Sequence, residues 1–178
     1  MLRDIVRRWT ENGGLPAAAL SELHADRSGL ATADPGPRRI IDEGIRWLCR
    51  AQDCSASSDG GVARHFSLIK GWGPSYPETT GYIVPTLIAA AGAGLATDLL
   101  DRSRRMLDWL VGIQMPCGGF QGGTVRSTPV VPVTFNTGQI LMGLASGTFE
   151  FGDSYREAMQ RAGDWLVATQ DSDGCWRA

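Results

Sequence analysis

The sequence predicts an all-α fold of stacked helical hairpins, inner helices paired with outer ones and curved through about half a ring. Three observations predict it. A Trp-Leu-x-x-x-Gln unit occurs three times, at Trp47 to Gln52, Trp109 to Gln114 and Trp165 to Gln170. Between the units lie two apolar segments almost free of charge, each opening near a Thr. Glycines follow each Gln, where a chain leaving a helix must turn.

Composition sets the limits. The 178 residues carry 17 basic and 19 acidic side chains, a net charge of −2, with 43% apolar residues. That balance suits one globular domain with a real core and argues against disorder. It excludes a strongly basic nucleic-acid binder, so no nucleic acid is expected as a partner. The first residues, Met1 to Trp9, are charged where a secretory leader needs an apolar stretch. The longest mostly apolar run, Ile83 to Ala96, is too short for a membrane span and contains Pro85. The expectation is therefore a cytoplasmic protein with no membrane partner. Its cysteines, Cys49, Cys54, Cys117 and Cys175, should be reduced.

The elements follow in order. Residues 1–36 read as an N-terminal helical segment, with one helix near 3–11 and another near 16–25. The repeats occupy 37–178. Ile40, Ile41, Ile45, Leu48 and Cys49 recur at helical spacing and predict the first outer helix. A Ser-rich insert then leads to Asp59-Gly60-Gly61-Val62. The first inner helix is expected from about Thr80 to Gly94, with Thr80 as N-cap and Pro85 early, where a missing N–H costs least. Leu99, Leu100, Met106, Leu107, Leu110 and Ile113 predict the second outer helix, which ends in Gln114 and Gly118-Gly119-Phe120. The second inner helix is expected from Thr137 to Gly147. Tyr155, Met159, Ala162, Leu166 and Val167 predict the third outer helix, followed by Gln170, Gly174 and Trp176.

The two inner segments keep phase. Thr80 and Thr137 lie 57 residues apart, close to the 62- and 56-residue intervals between the tryptophans. A helix that is apolar all round must be covered on several sides, which a double ring of helices provides.

These segments resemble the glutamine–tryptophan repeats of the terpenoid cyclase and protein prenyltransferase superfamily, whose fold is the α/α toroid. Arg161, Ala162, Trp165, Leu166, Gln170, Gly174 and Trp176 match the family pattern at every position. Arg105, Trp109, Leu110, Gln114, Gly118 and Phe120 match with Phe for Trp, and Met106 replaces a small residue. Gly44, Trp47, Leu48 and Gln52 match its first half. The resemblance spans residues 38–178. It implies a partial α/α toroid in which the Gln and Trp side chains staple neighbouring helices. It also implies that missing C-terminal repeats or a second copy of the chain, as a homodimer, completes the ring.

The resemblance carries no activity with it. The Asp-x-Asp-Asp acid and the Asp-rich Mg²⁺ motif of the cyclases are absent, as is the thioester element of the complement domains. The only histidines, His24 and His65, are not at metal-ligand spacing. No metal and no cofactor are expected.

Chemistry is sought where the two repeats differ, because pure scaffold would repeat. Asp59 to Tyr82 is the richest stretch. Glu78 is the candidate general acid or base, at the start of an inner helix where the dipole favours a carboxylate. Asp59 is the second candidate carboxylate. Trp72, Tyr76 and Tyr82 are candidates to stack on sugar rings, and Arg64 or Lys70 to hold a carboxylated or phosphorylated group. His65, and Asn136 at the position Thr79 holds one repeat earlier, complete the candidate substrate-binding set. The run Tyr76-Pro77-Glu78-Thr79-Thr80-Gly81-Tyr82 also looks like helix-start turns in α/α-barrel enzymes acting on polysaccharides and uronates. The expected function is a carbohydrate-active enzyme (hydrolase, lyase or epimerase) taking a small-molecule or glycan substrate in a central cavity. A terpenoid-cyclase-like enzyme and a non-catalytic repeat scaffold or binding module are the alternatives.

Overall fold

Pro37 and Pro77 each preset φ at the first position of a helix, and the chain obeys both. The structure, a computed structural model, describes residues 15–29 and 33–177; the helix expected near 3–11 lies outside them. Helix α1 spans Ala17–Arg27 and α2 spans Pro37–Asp53. A two-residue antiparallel hairpin follows, β1 (Phe66–Ser67) against β2 (Gly71–Trp72). Then come α3 (Pro77–Gly92), α4 (Leu99–Ile113) and α5 (Thr134–Phe151). A 3₁₀ turn over Gly152–Tyr155 leads into α6 (Arg156–Ala168). The described residues are mostly helical, as an all-α class requires.

The layers separate by polarity. The apolar helices α3 and α5 pack on each other more extensively than any other pair, α4 lies across both, and α6 covers α5. Val84, Leu87, Leu99, Met106, Leu107, Leu110, Phe120, Ile140 and Leu144 form the buried centre. Helix α2 is more weakly anchored and buries only Ile45, Ala51 and Gln52. Among the described residues no helix is long and apolar enough to cross a membrane.

Both inner helices start earlier than the threonines suggest. Their N-caps are Tyr76 and Val133, so Thr80 and Thr137 are not caps but sit one turn inside. There they do a different job. Thr80 Oγ1 accepts from the Val62 N–H at 2.9 Å, and Thr137 Oγ1 accepts from the Phe120 N–H, also at 2.9 Å. Each buried threonine thus satisfies an amide of the turn that precedes its own helix, which burial would otherwise leave without water. Pro85 is mid-helix rather than early. It deprives the Gly81 carbonyl of its i+4 donor, and that carbonyl instead faces Gly143 of α5 at close range. The two helices cross where Gly81 lies against the Ile140 backbone; a Cβ on Gly81 would stand 2.6 Å from Ile140 Cα.

The repeat units are stapled alike. Gln52 Nε2 donates to the Gly60 carbonyl (2.9 Å) and the Arg102 carbonyl (3.1 Å). Gln114 Nε2 donates to the carbonyls of Gly118 and Ala158, both at 2.9 Å. One bond closes the unit's own turn, and the other reaches the first turn of the next outer helix. Gly60, Gly118 and Gly174 hold φ of +100°, +95° and +85°, a region costly for other residues. The tryptophans are less uniform. Trp109 rests on Gly61 and Trp165 on Gly119, so close that a Cβ on either glycine would collide. Trp47 has no such seat and packs instead against Trp72 and Phe66, with ring centroids 4.8 and 6.0 Å away. The seat comes from the preceding unit's turn, and no such turn precedes α2 among the described residues.

Candidate functional site

The irregular segments between each Gln and the next inner helix meet at one end of the helix layers. The Ser-rich insert of the first unit and the Gln121–Pro132 loop of the second enclose a cleft of about 570 Å³. Ser57, Asp59, Ser75, Thr124 and Arg126 line it, with Ala56, Pro74 and Val125. The loop is held by its own bonds. Ser127 Oγ accepts from the Thr124 N–H at 2.9 Å, Gln121 Nε2 donates to the Ser127 carbonyl at 2.5 Å, and the Gly122 N–H donates to the Val131 carbonyl at 3.0 Å.

Asp59 is fixed from below. Its Oδ1 accepts from Ser75 Oγ at 2.5 Å and from the Gly61 N–H at 3.2 Å. Ser55 Oγ lies 2.7 Å from Ser75 Oγ. A serine has one hydroxyl proton, and that of Ser75 goes to Asp59, so Ser55 donates to Ser75. Ser57 Oγ in turn accepts from the Ser75 N–H at 3.1 Å. Ser55 and Ser75 are buried, which makes this a chain of hydroxyls aimed at one carboxylate oxygen. A charge-assisted bond of this kind is shorter and stronger than a neutral one.

The other residues expected to act are dispersed. Glu78, second residue of α3 and half-buried, does not line this cleft, so the two expected carboxylates do not share it. Arg64 lays its guanidinium over the Tyr76 ring, 4.9 Å from its centroid. The exposed His65 ring rests on Gly73. Trp72 belongs to the Trp47–Phe66 cluster, 5.0 Å from Phe66, and that cluster borders an apolar groove against α1. Lys70 sits exposed in the turn between β1 and β2, and Tyr82 is partly exposed on α3. Asn136 is buried, and its Nδ2 has no hydrogen-bond partner. The cleft-lining Ser57, Ser75, Thr124 and Arg126 escaped the sequence reading. Their one signal was the long stretch between each Gln and the next inner helix, 28 residues from Gln52 to Thr80 and 23 from Gln114 to Thr137.

A second cleft, of about 640 Å³, runs between α2 and the start of α4, past Arg38, Arg46, Cys49, Arg50, Asp98 and Arg102. Most of its charges are already paired, and Arg50 lies over the Trp47 ring. Arg102 binds Asp53 through Nη1 and Nη2 at 2.7 and 2.9 Å and Asp98 through Nε at 2.6 Å. The Arg102 hydrogen bond holds the Asp53 carboxyl below its usual range. Burial pushes the Cys49 thiol up, so it stays protonated and a poor nucleophile at neutral pH. This cleft reads as an anchor for α2. Among the described residues no cluster of His, Cys, Asp and Glu could hold a metal ion. Comparison with protein-family models, curated proteins and solved structures gives no match to this chain.

Proposed function

We propose that this chain forms part of an α/α toroid that binds a hydroxyl-rich, sugar-type ligand across the helix-start end and acts on it by carboxylate acid–base chemistry. The observation that carries the reading is the Ser55–Ser75–Asp59 chain, which presents a fixed carboxylate in a cleft shared with Ser57, Thr124 and Arg126. Vicinal sugar hydroxyls both donate and accept, and a carboxylate flanked by serine, threonine and arginine offers the matching set. In this reading Asp59 engages the ligand directly. Glu78, in the first turn of the neighbouring inner helix, supplies the second carboxylate, on ligand that extends beyond the cleft. The alternating apolar inner and polar outer helices, joined by repeated Gln staples, support the toroid.

The test is turnover of neutral and uronate-containing oligosaccharides by wild type, Asp59→Asn and Glu78→Gln. Loss of a positioned acid or base lowers turnover about 10²-fold or more. Asn and Gln keep the size of the acids they replace, so both variants should leave the melting temperature nearly unchanged. Turnover that survives both substitutions rejects the reading. A non-catalytic repeat scaffold is the competing reading. It is favoured by the use of Gln52, Gln114, Thr80, Thr137, Trp109 and Trp165 in contacts that hold the fold. It predicts sugar binding without turnover, or neither.

A further inference from the structure

The two clefts differ in what their arginines do. Between α2 and α4, Arg38, Arg46 and Arg102 each bond a carboxylate. Arg126, in the cleft that holds Asp59, makes neither an ion pair nor a side-chain hydrogen bond among the described residues. It is exposed, yet the backbone that carries it is fixed. The Ser127 N–H donates to the Thr124 carbonyl at 2.8 Å, and Ser127 Oγ accepts from the Thr124 N–H at 2.9 Å. These bonds close a tight turn with Val125 and Arg126 at its tip. Gln121 Nε2 anchors the base of the turn through the Ser127 carbonyl.

The opposite wall of the cleft supplies the complement. Asp59 engages Ser75 and the Gly61 amide through Oδ1 alone, so Oδ2 is open to a ligand hydroxyl. Ser57 Oγ accepts from the Ser75 N–H and keeps its own proton to donate. The cleft thus pairs an acceptor for hydroxyls with a planar guanidinium whose donors are unoccupied. A guanidinium fork matches a carboxylate through two parallel bonds. A phosphate monoester would bring a charge of about −1.5 to −2 toward Asp59. A carboxylate brings a single negative charge, which Arg126 balances. The cations first expected in this role stand elsewhere. Arg64 lies over Tyr76, and Lys70 is in the turn between β1 and β2; neither lines the cleft.

We propose that Arg126 selects a carboxylated sugar, clamping the carboxylate of a uronate residue while Asp59 Oδ2 takes a ring hydroxyl across the cleft. This choice of ligand rests on the sugar-binding reading of the cleft and deepens it. Uronates become the substrate class, and Arg126 becomes the residue that sets the specificity. The selection is made in binding and does not depend on the acid–base step. At about 570 Å³ the cleft lies within the usual range for small-molecule sites. Arg126 stands exposed at a loop tip, so replacing its side chain removes no hydrogen bond or ion pair of the described fold.

Titration calorimetry tests it on matched pairs of tetrasaccharides: glucuronate with glucose, galacturonate with galactose, and mannuronate with mannose. Glu78→Gln is titrated beside wild type, so that turnover does not consume the ligand. At least one uronate is expected to bind about tenfold or more tighter than its neutral partner. Added salt should shrink that ratio. Arg126→Gln should bring the ratio below about threefold, with unchanged helical circular dichroism. Arg126→Lys keeps the charge but not the fork, and its ratio should fall between the two. Equal affinity for both members of every pair overturns the proposal and leaves the sugar-binding reading in place. So does a preference that survives Arg126→Gln, which would put the ligand carboxylate elsewhere, or glucose 6-phosphate outcompeting free glucuronate. Binding of no tetrasaccharide overturns the proposal and the sugar-binding reading together.

Discussion

Gln114 shows how much one side chain can hold. Its amide donates both protons, one to the Gly118 carbonyl and one to Ala158 in the next outer helix, 44 residues away. A net bond is worth about 0.5–1.5 kcal/mol, and the two carbonyls would lose their donor together. Gln114→Ala should therefore destabilise the protein by about 1–3 kcal/mol in urea unfolding. Gln170→Ala removes one exposed bond, to the Gly174 carbonyl, and should cost under about 1 kcal/mol. Equal losses at the two sites would contradict the staple role. These residues were legible in the sequence because they recur at fixed offsets. Ser55, Ser75 and Arg126 were not. They lie in irregular connections whose residues do not repeat, and their partners are set by how two such loops meet, which no local period encodes.

At the scale of elements, the crossing of α3 and α5 decides the packing. Gly143 faces the Gly81 carbonyl, and this contact is backbone against backbone, so no rotamer change can relieve an added methyl. Gly143→Ala should cost about 1–3 kcal/mol as overpacking. Gly138 lies in the same helix with open space before it. Gly138→Ala should raise the stability of the protein by up to about 1 kcal/mol, the difference in helix propensity. Thermal unfolding of the two variants measures both, and opposite signs are the expected result. The helices themselves were readable from their apolar runs, but their first residues were not. Thr80 looked like a cap because threonine favours that role; Pro77 starts the helix three residues earlier and leaves the hydroxyl free to hold Val62. Pro85 looked marginal for the same reason and proved central, tolerated because Gly143 brings α5 against the carbonyl it strands.

For the molecule as a whole, the repeat period was legible and gave the order of helices; the angles between units are not spelled out by the residues. The weakest attachment is that of α2. It buries little apolar surface, and Arg102 ties it to α4 through Asp53 and Gln52. Because the Asp53 carboxyl is held below its usual range in the folded state, its contribution is present above the ordinary carboxylate pKa. It is lost as pH falls through the lower, folded value. Hydrogen exchange should then show α2 amides opening first as the solution is acidified below about pH 4. In Asp53→Asn the same opening should be present already at pH 7 and change little with acid. Exchange in α2 that is slower than in α4 at every pH would refute this. The cleft around Asp59, by contrast, is walled by loops from two successive units, and the Gln52 staple reaches it only at its base, through the Gly60 carbonyl. A chain of this design can therefore change what it grips by rewriting its loops, or gain another grip by duplicating one unit, without disturbing the joints that keep it upright.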